Sequence, residues 1–185
     1  MKSNVCKIEN GVKDLDAILK ESEKVAAYNG LDHKQTLQLR LLCEEIDGML
    51  PKIIDDFEGD FWIDFEDGVC KVNVSIQFAK FTPAKKKELL NKAKDKKNAS
   101  VTGIGAKIRA AIEEFFLDEQ NVNSLCMLSD SCRWSLNQYR MTVEKEKKSE
   151  EWDELEKSVI ASVADDIIVG VKGLQADIVV VKKFA

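Results

Sequence analysis

Residues 36–54, TLQLRLLCEEIDGMLPKII, decide the fold. Leu39, Leu42, Cys43, Ile46, Met49, Leu50 and Ile53 recur at helical spacing, so one helix face is almost wholly apolar and belongs on a core. Glu44 and Gly48 share a different face, one turn apart, beside the buried stripe rather than opposite it. A carboxylate there either reaches a cleft or is simply solvated. Pro51 is expected to end or kink the helix at Leu50, because its ring removes an N–H and clashes with the preceding turn. Asp32 is placed to cap the start, and His33 belongs to the polar entry.

Working outward, the next segment alternates. Phe61, Ile63 and Phe65 interleave with Trp62 and Asp64, then Glu66-Asp67-Gly68 turns the chain. Cys70, Val72, Val74, Ile76 and Phe78 follow, interleaved with polar residues. This predicts an antiparallel hairpin with one wet face and one apolar face, the latter a natural partner for the apolar helix stripe. Before the helix, residues 5–8 suit a short strand, and residues 13–28 read as a helix stopped by Asn29-Gly30. Near the end, IIVGVKG and ADIVVVKKF read as a second hairpin joined through Gly173.

Between the hairpins the sequence changes character. Thr82-Pro83 opens a helix running to about Ala93. Residues 85–97 hold seven lysines against Glu88 and Asp95, a local charge of +5 in a chain of net charge −5. Such a run is either a solvated face or a cover for an anion. Val101-Thr102-Gly103-Ile104-Gly105-Ala106-Lys107-Ile108 then starts a helix with Ile104, Ile108, Ile112, Phe115 and Phe116 inward. Two glycines at a helix start allow close backbone approach, and the free N–H groups with the helix dipole favour an anion. They equally serve a plain loop-to-helix turn. Residues 118–132 read as a polar connection, Trp134 as the start of a helix reaching about Lys148, and Trp152, Leu155, Val159 and Val163 as an amphipathic helix.

At 185 residues the chain suits one domain, 1–185, with a helical insertion at about 118–151. Its acidic balance argues against nucleic-acid or anionic-membrane binding, and no apolar run approaches the roughly 18 residues of a membrane span. With no apolar signal core near the start, the expectation is a cytoplasmic protein. Five cysteines without a CxxC pair, and a single histidine, indicate neither a zinc site nor a disulfide framework. Cys43 and Cys70 lie on apolar stripes and are expected to pack as small hydrophobes.

The order of helix, carboxylate-bearing helix, hairpin, basic loop, glycine-opened helix and closing strand pair resembles the Bergerat-fold (GHKL) ATPases. The branch it resembles contains histidine-kinase ATPase domains and anti-sigma-factor serine kinases. LRLLCEEIDGML, GIGAKIR and WDELEKSVIASVADDIIVGVKG also resemble ATP-binding-like proteins of Firmicutes. The resemblance implies an α/β two-layer sandwich, with a mixed, mostly antiparallel sheet covered by helices. It implies ATP as cofactor, with Glu44 matching the family's catalytic carboxylate and Gly103 and Gly105 matching the phosphate-cradling glycines. Lys107 lies near enough to them to neutralise a phosphate. Gly48 stands where the family has a magnesium-holding asparagine, and Gln77-Phe78-Ala79-Lys80-Phe81 lacks the family's adenine-binding aspartate. The implied function is a nucleotide-binding regulatory protein, with ATPase or serine-kinase activity weakened by these departures. A regulatory protein partner is implied as well. The alternative is a non-enzymatic interaction module that kept the fold.

Overall fold

The computed structural model describes residues 1–10, 15–54, 57–77, 103–118, 133–146, 151, 153, 155, 157–172 and 175–184, with the side chains of 114–118 and 133 excepted. The helix expected from Thr82-Pro83, the lysine-rich stretch 85–97, the inward placement of Phe115 and Phe116, Trp152 and the connection 119–132 lie outside them. In chain order the elements are β1 (Cys6–Glu9), α1 (Leu15–Tyr28), α2 (His33–Ile53), β2 (Glu58–Glu66), β3 (Val69–Gln77), α3 (Ile104–Asp118), β4 (Arg133–Ser135), α4 (Leu136–Glu146), α5 (Val159–Val163), β5 (Asp166–Lys172) and β6 (Gln175–Lys183).

The six strands form one sheet in the order β1-β2-β3-β6-β5-β4. Every pairing among the described strands is antiparallel, where a mixed sheet was expected. The first hairpin closes on a two-residue loop, Asp67-Gly68, with Glu66 opposite Val69. Both loop residues have positive φ, +49° and +76°, the primed turn whose twist matches that of the flanking strands. Gly68 is doubly constrained, since a Cβ there would stand 2.9 Å from the Phe184 carbonyl oxygen. The second hairpin pairs Lys172 with Gln175, and β3 and β6 join the two hairpins along nine residue pairs.

Alternation then sorts the side chains. Phe61, Ile63, Val72, Val74, Ile167, Val169, Ile178 and Val180 are buried on one face, beneath the helices. All seven apolar residues of the α2 stripe are buried in the same core. Each such side chain contributes roughly 1.5–3 kcal/mol of transfer free energy on burial. α1 packs on α2 and β2, α2 also on α3 and α5, and α3 on β5. The chain thus adopts an α/β fold with helices packed on an antiparallel sheet, consistent with a two-layer sandwich.

Asp32 caps α2 as expected, and the cap is reciprocal: its carboxylate accepts from Gln35 N at 2.7 Å while Gln35 Oε1 accepts from Asp32 N at 2.9 Å. Pro51 does not end the helix. α2 continues to Ile53 and closes with Ile54 N donating to Leu50 O at 2.9 Å. Pro51 forfeits one helical N–H bond in the last turn, and continuing the helix buries Ile53 and Ile54. Two further expectations are corrected. Trp134 lies in a strand, because Arg133–Ser135 pairs with β5 from Gly170 to Ile168, and the helix starts only at Leu136. In α5, capped by Ser158, the buried residues are Ile160 and Ala161, and Val159 is exposed.

The N-terminal segment is fastened by Glu21 of α1. This buried carboxylate accepts from Asn4 N at 3.1 Å, Asn4 Nδ2 at 3.2 Å and Lys24 Nζ at 2.6 Å. The Lys24 bond holds its pKa below the ordinary 4.5 against the opposing effect of burial, with the Asn4 bonds assisting. Because the native value is lowered, its contribution is complete above pH 4.5 and is lost as pH falls through the lowered value. Glu21→Gln is therefore expected to reduce stability by about 1–2 kcal/mol at pH 7. The difference from wild type should shrink in urea titrations run below pH 4.5. Gly59 is required for a different reason: a Cβ there would meet the Ser75 carbonyl oxygen at 2.3 Å. Gly59→Ala should cost about 3 kcal/mol, read as a fall in urea midpoint.

Candidate functional site

α3 begins at the glycine pair. Gly103 has φ +75°, a conformation that L side chains rarely adopt, and accepts the first helical bond from Lys107 N at 3.4 Å. Among the described residues, chain neighbours aside, no atom lies within 4 Å of where its Cβ would stand. Gly105 is buried inside the first helical turn, where Ile104 and Ile108 face the core.

Lys107 does not stand free at this turn. Its Nζ lies 3.5 Å from Glu151 Oε1 and 5.1 Å from the centre of the Tyr139 ring. Tyr139 Oη donates to the other carboxylate oxygen, Glu151 Oε2, at 2.9 Å, and its ring leans on Trp134 with centroids 6.0 Å apart. Burial opposes the Lys107 charge, but Tyr139 and Glu151 outweigh it and raise its pKa. Burial also raises the pKa of Tyr139, with Glu151 adding and Lys107 opposing. The lysine therefore stays an ammonium and the tyrosine a phenol. Neither is activated as base or nucleophile.

A backbone knot sets the position of Tyr139. Asp166 accepts from Asn137 N at 3.1 Å and from Ser135 Oγ at 3.1 Å, holding the start of α4. Arg140 reaches back to the carbonyls of Ala161, of Ala164 at 3.5 Å and of Asp165 at 3.3 Å, covering the end of α5. α4 is thus tied at its first turns to the β5 entry, and Tyr139 projects from it toward α3.

Glu44 is held elsewhere. Arg40 Nε donates to its Oε1 at 3.1 Å, one turn away on α2, and the same guanidinium reaches Glu23 of α1 at 3.0 Å. The carboxylate is thus part of an α1–α2 ion-pair chain, whereas Lys107 is part of an α3–α4 cluster. Gly48, one turn beyond Glu44, is exposed, with no atom of the other described residues within 4 Å of its Cβ position. Having no side chain, it supplies no metal ligand. Among the described residues no group of three or more His, Cys, Asp or Glu side chains is placed to hold a metal ion. The described residues do not fit the magnesium that the resemblance implies.

Cys43 and Cys70 are fully buried, as expected of core thiols. Burial pushes the Cys43 pKa well up, with Cys70, Glu44 and Cys6 adding, and takes Cys70 to about 12 with help from Asp64. None of the described helices is long and apolar enough to cross a membrane. No family model, no curated protein and no solved structure matches the chain.

The partners of Lys107 left no local signal because Glu151 lies 44 residues away, in a stretch of mixed charge. Exposed i,i+4 pairs contribute a few tenths of a kcal/mol. Glu44→Ala should accordingly shift the unfolding free energy by less than about 1 kcal/mol in urea titration, marking Glu44 as dispensable to the fold.

Proposed function

We propose that the chain is a regulatory protein of the Bergerat type that binds ATP or ADP through the phosphates at the Gly103 turn and does not carry out metal-assisted phosphoryl transfer. The observation that carries this reading is the left-handed turn at Gly103, which no other part of the described residues crowds and which leads directly into a fifteen-residue helix with Lys107 in its first turns. Backbone N–H groups and the helix dipole there favour an anion, and the lysine adds a full positive charge beside them. Gly48, having no side chain, offers no metal ligand, which supports binding over catalysis, since phosphoryl transfer relies on positioned metal and charge.

A second reading, an interaction module without nucleotide, draws on the other face of the sheet. Trp62, Asn73, Val179 and Ile168 stand in one cross-strand row, opposite the helices. Trp62, Val179 and Ile168 remain partly exposed there, and an apolar row of that kind suits a protein partner.

Calorimetric titration separates the two. The nucleotide reading expects saturable binding of ATP and ADP below roughly 1 mM, unchanged by magnesium. Gly103→Val, which forces a branched side chain into a left-handed position, should weaken binding by at least about tenfold while leaving the circular dichroism spectrum intact. Failure to saturate at millimolar nucleotide would overturn the reading in favour of the interaction module.

A further inference from the structure

We infer that Glu151 is an internal competitor for the phosphate: its carboxylate occupies Lys107 in the unliganded protein and must leave when a phosphate docks at the Gly103 turn. The inference rests on the nucleotide reading above and adds a regulatory device to that site. Side chains on a helix lean toward its N-terminus, so Lys107 leans toward the turn that Gly103 begins. The group that meets its ammonium is an anion from a distant part of the chain, with Glu151 Oε1 at 3.5 Å. The second carboxylate oxygen is taken by Tyr139 Oη at 2.9 Å. One carboxylate thus engages both a lysine and a tyrosine, and the two charged side chains are only 31% and 30% exposed.

An arriving phosphate meets two opposing effects. It gains the Lys107 ammonium and the helix N-terminus, but only by displacing Glu151, because two anions within a few ångströms of one ammonium repel each other in a half-buried setting. Displacement leaves Tyr139 without its acceptor. Tyr139 is fixed to α4, and α4 is fixed to β4 and β5, so the change at Lys107 is felt on the helix that flanks the sheet edge. Binding at the turn is thereby coupled to the contact between residue 151 and α4. This contact is the two-state element that a regulatory protein needs.

The experiment measures ADP affinity by calorimetry for wild type, Glu151→Gln, Lys107→Met and the double variant. Glutamine keeps the shape and still accepts from Tyr139 Oη, so folding is preserved; a melting curve checks this. The expected result is an affinity gain of roughly fivefold for Glu151→Gln, and no gain for the same change in the Lys107→Met background. An equal gain in both backgrounds would mean general charge repulsion and would overturn the competition. No gain in the wild-type background, with binding measurable, would also overturn it while leaving the nucleotide reading intact. Absence of ADP binding by both wild type and Glu151→Gln at millimolar concentration would overturn both.

Discussion

The apolar stripe of α2 lying over the buried face of the sheet is the constraint on which the other features depend. Leu39, Leu42, Cys43, Ile46, Met49, Leu50 and Ile53 leave α2 only one rotational setting about its axis. That setting decides what the rest of the helix can do. It keeps Arg40 and Glu44 within reach of Glu23 on α1, and it leaves Gly48 at the surface. The sheet obeys a matching rule, because a one-residue slip in any strand would exchange its buried and exposed sets. The nine-pair β3–β6 register is the seam that makes both hairpins face the same helices. It joins segments about a hundred residues apart in sequence, so the sheet is completed by its most distant pairing.

Charge is distributed around this frame in short local chains. Arg40 serves two carboxylates, Lys107 serves one carboxylate and an aromatic ring, and Arg140 serves three backbone carbonyls. The first of these is exposed and weak. The second is more enclosed and spans parts of the chain that the sheet alone would not connect, which makes it the better place for a ligand to exert leverage. The third is structural, since it neutralises the end of a five-residue helix too short to hold itself.

The hairpins were legible because strand alternation and turn chemistry are local. Asp67-Gly68 demands positive φ, and the flanking residues alternate strictly. α2 was legible from its stripe and from Asp32. Other features were set by partners distant in sequence. β4 has three residues, too few to show a period, and exists because β5 offers an edge. Pro51 stayed helical because Ile53 and Ile54 gain from burial. The buried register of α5 shifted from Val159 to Ile160 and Ala161, since Ser158 begins the helix later than periodicity alone suggests. Gly59 carried no signal beyond being a glycine in a strand, and its need is visible only from Ser75. For the candidate site, the glycine turn was readable as a local feature. The engagement of Lys107 by Tyr139 and Glu151 was not, because tertiary packing decides where a long flexible side chain ends.

Phe65 carries one more consequence. Its N–H donates to the Met1 carbonyl at 2.7 Å, its own carbonyl accepts from the Met1 amino group, and its ring stacks on Phe184 with centroids 6.3 Å apart. Phe184 N in turn donates to the Gly68 carbonyl at 2.8 Å. Residues 1 and 184 therefore meet at one corner of the sheet, on either side of a single phenylalanine. Topologically the fold is close to a ring, and its strand order is indifferent to which peptide bond is the open one.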